Sequence, residues 1–185
     1  MLEAALERIV TWHKQHGRKV VDLLQPGLTG QSITAATAPL LLHDDVVHLY
    51  MWRNGTRVSQ EYVLNDYYFI PGYYLLSLED ALNAYNNLIS NSDWEKGCFP
   101  VLTSGGGDYY GVNYEHQGKV IHYVRGYSDN RVQYLSLTVM MQTVAELYES
   151  GAYSLDDRGF FEVNADAERM IASRLNPGLD YWKRD

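Results

Sequence analysis

Apolar residues repeat with a helical period at the start of the chain. Four of them, spaced at i, i+4, i+7 and i+8, share one face of an α-helix: Leu2, Leu6, Ile9 and Val10. Gly17 follows this pattern and is typical of a helix end. The spacing therefore predicts an amphipathic helix whose apolar face turns toward a core.

Five further segments are predicted as helices, each opened by a residue that caps helices. Serine, threonine, aspartate and asparagine side chains accept hydrogen bonds from the free N–H groups of a first helical turn. The predicted starts are near Ser32, at Asp44 or Asp45, at Ser77, at Ser136 or Thr138, and at Asn164. The predicted ends of four of these helices are Pro39, a turn at 53–55, Gly151, and a stop at 176–178.

The centre of the chain is rich in residues that favour strands. Three segments, 99–103, 108–114 and 119–124, are separated only by short turns at 104–107 and 117–118. Strands this close in sequence pair antiparallel, because a parallel return needs about a dozen linking residues. Further short strands are predicted at 62–64, 67–70, 131–135 and 160–163.

The order of these elements predicts the class of fold. Helices come first, a meander of strands follows, and helices close the chain, which is typical of an α+β domain and not of a βαβ alternation. A length of 185 residues is sufficient for one domain with its own core. We therefore expect a single domain over residues 1–185, with one mostly antiparallel twisted sheet and helices packed beside it.

Composition and charge narrow the classes of function. The chain has 15 basic and 23 acidic residues and a net charge of −8, which disfavours a nucleic-acid binder because phosphate contacts need a basic face. Cys98 is the only cysteine, so a reducing compartment is expected. The start of the chain does not resemble a signal peptide, and no apolar run reaches the roughly 18 residues of a membrane span. We therefore expect a cytoplasmic protein.

Two groups of residues have the types needed for chemistry. The glycines at 105–107 could hold a phosphate, but Asp108 would repel the anion, which favours a turn between strands. Cys98 with His116 or His122 could form a nucleophile and base, whereas a single buried cysteine is more often inert core. No histidine or cysteine pair has the spacing of a zinc site. We expect no catalytic residue, no metal and no cofactor.

Six motifs occur in a fixed order along the chain. They are Pro-Gly at 26–27 ahead of a short helix, an aromatic-rich segment with an Asn-Gly turn at 49–55, Phe-Pro-Val at 99–101 followed by Gly-Gly-Asp-Tyr-Tyr at 106–110, a strand at 118–123, a helix from Ser136 that ends at 148–153, and the tail 176–182. In this order they resemble the SUKH superfamily, which includes the fungal Smi/Knr cell-wall assembly regulators. Residues 31–42 depart from the family pattern, because they lack its usual acidic residues.

The resemblance implies a function as well as a fold. Bacterial members of the superfamily resemble immunity proteins that bind and neutralise toxins, often nucleases, and the fungal members resemble regulators or scaffolds. Neither group is known for a shared catalytic site. We therefore expect a non-enzymatic protein-binding module of the immunity type, with a basic toxin domain as its partner. The alternatives are an intracellular regulator or scaffold, and a small hydrolase that uses Cys98.

An acidic stretch is the candidate partner-binding region. Between Val144 and Glu168 the acidic residues are Glu146, Glu149, Asp156, Asp157, Glu162, Asp166 and Glu168, and Arg158 alone opposes them. If these side chains face one way, they form a negative patch for a cationic partner, and otherwise they are a solvated surface. The predicted partner-binding residues are Glu146, Glu149, Asp156, Asp157, Glu162, Asp108, Tyr109 and Trp52.

Overall fold

Helices lie at both ends of the chain and around a central sheet. The computed structural model describes residues 1–127 and 131–183. The helices within these residues are α1 (Leu2–Gln15), α2 (Val20–Leu23), α3 (Gly30–Thr37), α4 (Asp44–Trp52), α5 (Leu64–Tyr67), α6 (Leu78–Leu88), α7 (Leu137–Glu149), α8 (Ala165–Leu175) and a 3-10 helix (Asp180–Lys183). Ser77, Ser136 and Asn164 each accept a hydrogen bond of 3.1 Å from the N–H three residues along, as predicted.

The strands form one main sheet and two small ones. They are β1 (Leu24–Pro26), β2 (Arg53–Thr56), β3 (Tyr74–Leu75), β4 (Cys98–Thr103), β5 (Tyr109–Asn113), β6 (Lys119–Tyr123), β7 (Arg131–Tyr134), β8 (Tyr153–Leu155) and β9 (Phe161–Val163). β3 to β7 pair in chain order into a five-stranded antiparallel sheet, β1 pairs with β2, and β8 pairs with β9. The predicted α+β class with a mostly antiparallel sheet is confirmed, and two small sheets accompany the one that was expected.

The core lies where α1 and α7 pack against each other. The apolar stripe predicted for α1 is buried, and Met140 lies on the buried face of α7. The Trp12 ring stacks on the Tyr148 ring with 4.3 Å between the ring centroids. These residues belong to one buried cluster that runs from Leu2 to Trp182, so both ends of the described chain contribute to the same core.

The main sheet is covered on both faces. Alternate side chains of a strand point to opposite faces, and in β6 Val120 joins the main core whereas Ile121 and Tyr123 join a smaller cluster. That second cluster includes Trp94 and Cys98. Two covered faces explain why every residue of β4 is buried.

The outer edge of β7 is closed by the end of the chain. The indole Nε1 of Trp182 donates a hydrogen bond to the Gln133 carbonyl oxygen. The N–H of Leu135, directly after the strand, donates to Asn176 Oδ1 at 3.0 Å. The tail predicted as part of the domain therefore seals one edge of the main sheet.

Two predicted strands are wrong. Residues 62–64 and 67–70 contain strand-favouring aromatic residues, yet Leu64–Tyr67 is helix α5 and Ile70 forms only an isolated bridge with Tyr73. Local hydrogen bonds determine the conformation of this segment. The Asp66 carboxylate accepts from the Val63 N–H at 3.2 Å, which closes a helical turn.

Two predictions around α4 are also wrong. Residues 53–55 were expected as an exit turn but continue directly into β2, although Gly55 does adopt the left-handed φ of +71°. Asp44 and Asp45 do not cap the helix, because His43 accepts from the Asp45 N–H at 3.3 Å. The Asp45 carboxylate instead accepts from the Thr138 N–H at 2.9 Å, in the first turn of α7.

Candidate partner-binding surface

The seven acidic residues of the predicted region lie on four different elements. Glu146 and Glu149 are on α7, Asp156 and Asp157 are in the turn between β8 and β9, and the other three are on β9 and α8: Glu162, Asp166 and Glu168. Each of them therefore has to be considered by its contacts.

Two of the acids are neutralised by arginines. The Arg8 guanidinium donates two hydrogen bonds to Glu149, at 2.7 and 2.5 Å, and these bonds lower the pKa of that carboxyl. Arg174 of α8 pairs with Glu146. Arg158 is the only base within the stretch itself, but packing of α1 and α8 against α7 brings in two more bases from outside it.

Two further acids have structural roles. The Asp156 carboxylate accepts from the N–H groups of Phe160 and Arg158, at 2.8 and 2.9 Å, and so closes the β8–β9 turn. Glu168 is half-buried and accepts from the Tyr153 hydroxyl, and burial raises the pKa of its carboxyl. Both carboxylates therefore already have internal hydrogen-bond partners.

The remaining acids are exposed, and exposed apolar side chains lie close to them in the sequence. Among the described residues, Asp157, Glu162 and Asp166 have no ion pair or side-chain hydrogen bond. Phe160, Val163 and Met170 are 49%, 44% and 69% exposed. We call these six residues the hairpin surface. Two exposed bases lie close to these residues in the sequence. Arg158 is already paired with Asp156, and Arg169 is a residue of α8.

The β8–β9 hairpin, which carries four of these six residues, is firmly attached to the helices. Arg18 Nη1 and Asn65 Nδ2 both donate to the Gly159 carbonyl oxygen, at 2.8 and 3.0 Å. The Arg18 guanidinium lies 4.6 Å from the centroid of the Phe161 ring, and that ring packs near Trp12. A fixed hairpin loses little conformational freedom on binding.

The other three predicted partner-binding residues lie elsewhere. Trp52 is buried, and its Nε1 donates to Glu7 Oε1 at 2.6 Å. Asp108 accepts from the Arg125 N–H at 2.9 Å, and Tyr109 is half-buried against Trp94. Grooves of about 530 and 410 Å³ are lined by Trp52 and Tyr109 respectively, and they have no lining residue in common. The structure does not join these residues to the hairpin surface.

The glycine segment is a turn, as favoured from the sequence. Three backbone N–H groups in and beside it have partners nearby in the chain: that of Gly105 bonds to Thr103 Oγ1, and those of Gly106 and Asp108 bond to Ser104 Oγ, at 3.1 to 3.3 Å. Donors that already have partners do not converge on an outside anion.

Cys98 lies in the smaller core cluster. Its side chain is buried, and burial raises the pKa of the thiol well above its usual range. His122 uses both ring nitrogens elsewhere, with Tyr73 Oη at 2.6 Å and Gln133 Nε2 at 3.0 Å. His116 contacts Glu95 at 3.2 Å. The burial of Cys98, and the contacts that His122 and His116 make with other residues, are typical of a cysteine that packs in a core.

We expect Cys98 to be unreactive in the folded protein. A disulfide reagent needs an accessible thiolate, so its reaction should be slower than in the urea-unfolded protein by at least about a hundredfold. The rate of thiol modification, followed by absorbance in both states, checks this. Equal rates in the two states would revive the hydrolase alternative.

A comparison with protein-family models decides the family. The model of the SMI1 / KNR4 family (SUKH-1) matches residues 31–143. The chain belongs to this family. The predicted SUKH resemblance is thereby confirmed, and no curated protein matches the chain significantly. In this SUKH-1 protein the matched residues run from α3 into α7, so the β8–β9 hairpin and α8 lie beyond them.

A buried polar network of this SUKH-1 protein was missed from the sequence. Tyr110 and His122 are directly opposite in β5 and β6, with 4.5 Å between their ring centroids. The Tyr110 hydroxyl donates to Gln133, which bonds to His122, which in turn bonds to Tyr73. Burial lowers the pKa of His122. The alternation of polar residues along β5 to β7 was the available signal, but only the register shows that they meet.

Neither membrane spans nor metal clusters are found in the described part of this SUKH-1 protein. Within residues 1–127 and 131–183, no helix combines the length and apolar character that crossing a bilayer requires. In the same residues, no three His, Cys, Asp or Glu side chains are grouped as metal ligands would be.

Proposed function

We propose that this SUKH-1 protein is a non-enzymatic binding module of the immunity type, which neutralises a basic toxin domain by covering it. The observation that carries the proposal is the hairpin surface, which combines three unpaired carboxylates with three exposed apolar side chains within residues 157–170. Apolar contacts with a charged surround are typical of protein interfaces.

The charge distribution supports a basic partner. The whole chain carries a net charge of −8, which attracts a cationic protein at long range. Nuclease toxins have basic clefts for phosphate, so carboxylates such as Asp157 and Glu162 are suited to occupy them. Burial of Cys98 supports binding over catalysis. A regulator or scaffold of the Smi/Knr type would instead have several weak partners.

Capture of the partner tests the proposal. The tagged protein is recovered from the cells that make it, and the proteins that come with it are identified by mass spectrometry. We expect one near-stoichiometric basic partner whose toxicity on expression is relieved by this protein. A partner without toxicity, or several weak partners, would favour the regulator instead.

The unpaired acids should control association more than the paired ones. With the captured partner, we expect the double variant D157N/E162Q to lower the association rate constant by roughly 3- to 10-fold and to flatten its dependence on salt. Stopped-flow or biosensor measurements at several salt concentrations check this.

The matched control is E146Q/E149Q. It removes the same number of carboxylates, but from side chains already paired with Arg174 and Arg8. Its salt dependence should stay close to that of the wild type. If both double variants slow association equally, only the net charge matters and the hairpin surface is not the site.

A further inference from the structure

The β8–β9 hairpin has an outer edge whose hydrogen-bonding groups are available. Two hydrogen bonds set the pairing: from the Asp156 N–H to the Phe160 oxygen, at 2.9 Å, and from the Asn164 N–H to the Ala152 oxygen, at 2.8 Å. Along an antiparallel strand, the backbone N–H and C=O groups of one residue point toward the partner strand, and those of the next residue point away from it. The backbone groups of Phe161 and Val163 therefore face away from β8.

The outward backbone groups of this edge have no hydrogen-bond partner among the described residues. Within residues 1–127 and 131–183, no hydrogen bond from outside the hairpin reaches the N–H or C=O of Phe161 or Val163. Glu162 and Val163 are both exposed. An uncovered strand edge is a template for another strand, and it contrasts with β7, whose edge is sealed by Trp182.

The side chains of β9 define what an added strand would carry. Phe161 and Val163 are on one face, and Glu162 is on the other. Residues that lie directly opposite each other on paired strands share a face and interact there. An added strand is therefore best matched with apolar residues opposite Phe161 and Val163, and with a lysine or arginine opposite Glu162.

We propose that the partner binds by adding an extended segment with an apolar–basic–apolar pattern to the outer edge of β9. This inference rests on the proposed function and names its mode of recognition. Strand addition uses backbone hydrogen bonds for affinity and alternate side chains for specificity. Asp157 and Asp166, on either side of β9 in the chain, add negative charge for a basic segment.

A synthetic strand tests the inference without the natural partner. The probe is an acetylated and amidated heptapeptide in which lysine alternates with valine, and its control has every valine N-methylated, which keeps the charge but removes those N–H donors. Both are titrated into the isotope-labelled full chain up to about 1 mM, the weak end of the affinity scale. The backbone amide signals are followed by NMR, together with their exchange with deuterium.

The expected result is specific to β9. The unmodified peptide should shift the amide signals of Phe161 and Val163 and slow their exchange, and the N-methylated peptide should not. Val163→Pro removes an outward N–H that has no internal partner, and it should weaken binding roughly tenfold. Val163→Thr keeps that N–H and should bind like the wild type, and thermal unfolding of both variants verifies that they are folded.

Other results overturn the inference. Binding of the N-methylated peptide with similar affinity, shifts that map away from β9, or no binding of the unmodified peptide would each exclude strand addition. A basic partner could still be captured and show the expected salt dependence, so failure here is distinguishable from failure of the proposed function. Loss of that salt dependence alone would overturn the proposed function instead.

Discussion

Replacing Gly55 by alanine should be among the most damaging single changes in the chain, with an expected loss of about 2–5 kcal/mol of unfolding free energy. Gly55 has a φ of +71°, which an L side chain adopts only at a cost. A Cβ built there would also lie 2.3 Å from the backbone carbonyl of Leu76 and 2.4 Å from the N atom of Ser77. Backbone at that distance cannot yield as a flexible side chain does, so β2 would be pushed away from the segment before α6.

Gly72→Ala is the matched control. Gly72 has a similar φ of +81°, but a Cβ there meets nothing within 4 Å. It should lose only the conformational cost, about 1–2 kcal/mol. Urea unfolding of both variants gives the difference. Equal losses would mean that the close approach of Gly55 to Leu76 is relieved at little cost.

Acidification should destabilise the fold through His13. The ring is fully buried, bonds to the Phe69 carbonyl oxygen at 2.9 Å, and burial lowers its pKa from 6.5 to about 4. The unfolded chain therefore takes up this proton first as the pH falls. The contribution of His13 to the free energy of unfolding is therefore fully present above pH 6.5. It decreases by about 3 kcal/mol as the pH falls toward 4.

The shape of the pH dependence tests this account. His13→Gln should lower the free energy of unfolding at pH 7 but flatten its slope between pH 6.5 and 4. Urea unfolding at half-unit pH intervals measures both quantities. His122, whose pKa is also lowered by burial, contributes a residual slope of the same sign. An unchanged slope in His13→Gln would contradict the account.

The parts of the fold that follow from local chemistry could be predicted. The caps Ser77, Ser136 and Asn164 bond within one helical turn, so sequence alone identifies them. The meander of β4 to β6 has turns so short that antiparallel pairing is forced. The pairing of β1 with β2 was missed because it joins Leu24 to Thr56, and nothing local in either segment indicates the other.

The candidate site could be predicted only in outline. The acidic region was visible in the sequence, but Arg8 lies 141 residues from Glu149, so no pattern within the region shows that this carboxylate is paired. Whether Glu162 and Asp157 are paired depends on tertiary packing, and the periodicity of the sequence does not show this. The family resemblance indicated the kind of function. The proposed mode of binding came instead from the structure, which shows which backbone groups of β9 point away from β8.

The seal on β7 has a consequence for self-assembly. A sheet with two open edges can recruit copies of itself on both sides and grow into a fibre, whereas a closed edge stops growth. Trp182 and Asn176 bond to the backbone at β7, so molecules at high concentration cannot stack through that side of the five-stranded sheet. In the separate β8–β9 sheet, β9 is a strand of only three residues with a carboxylate at its centre, and two such strands placed side by side repel each other. In the proposed mode of binding, β9 accepts a foreign basic strand while being a poor template for a second copy of itself.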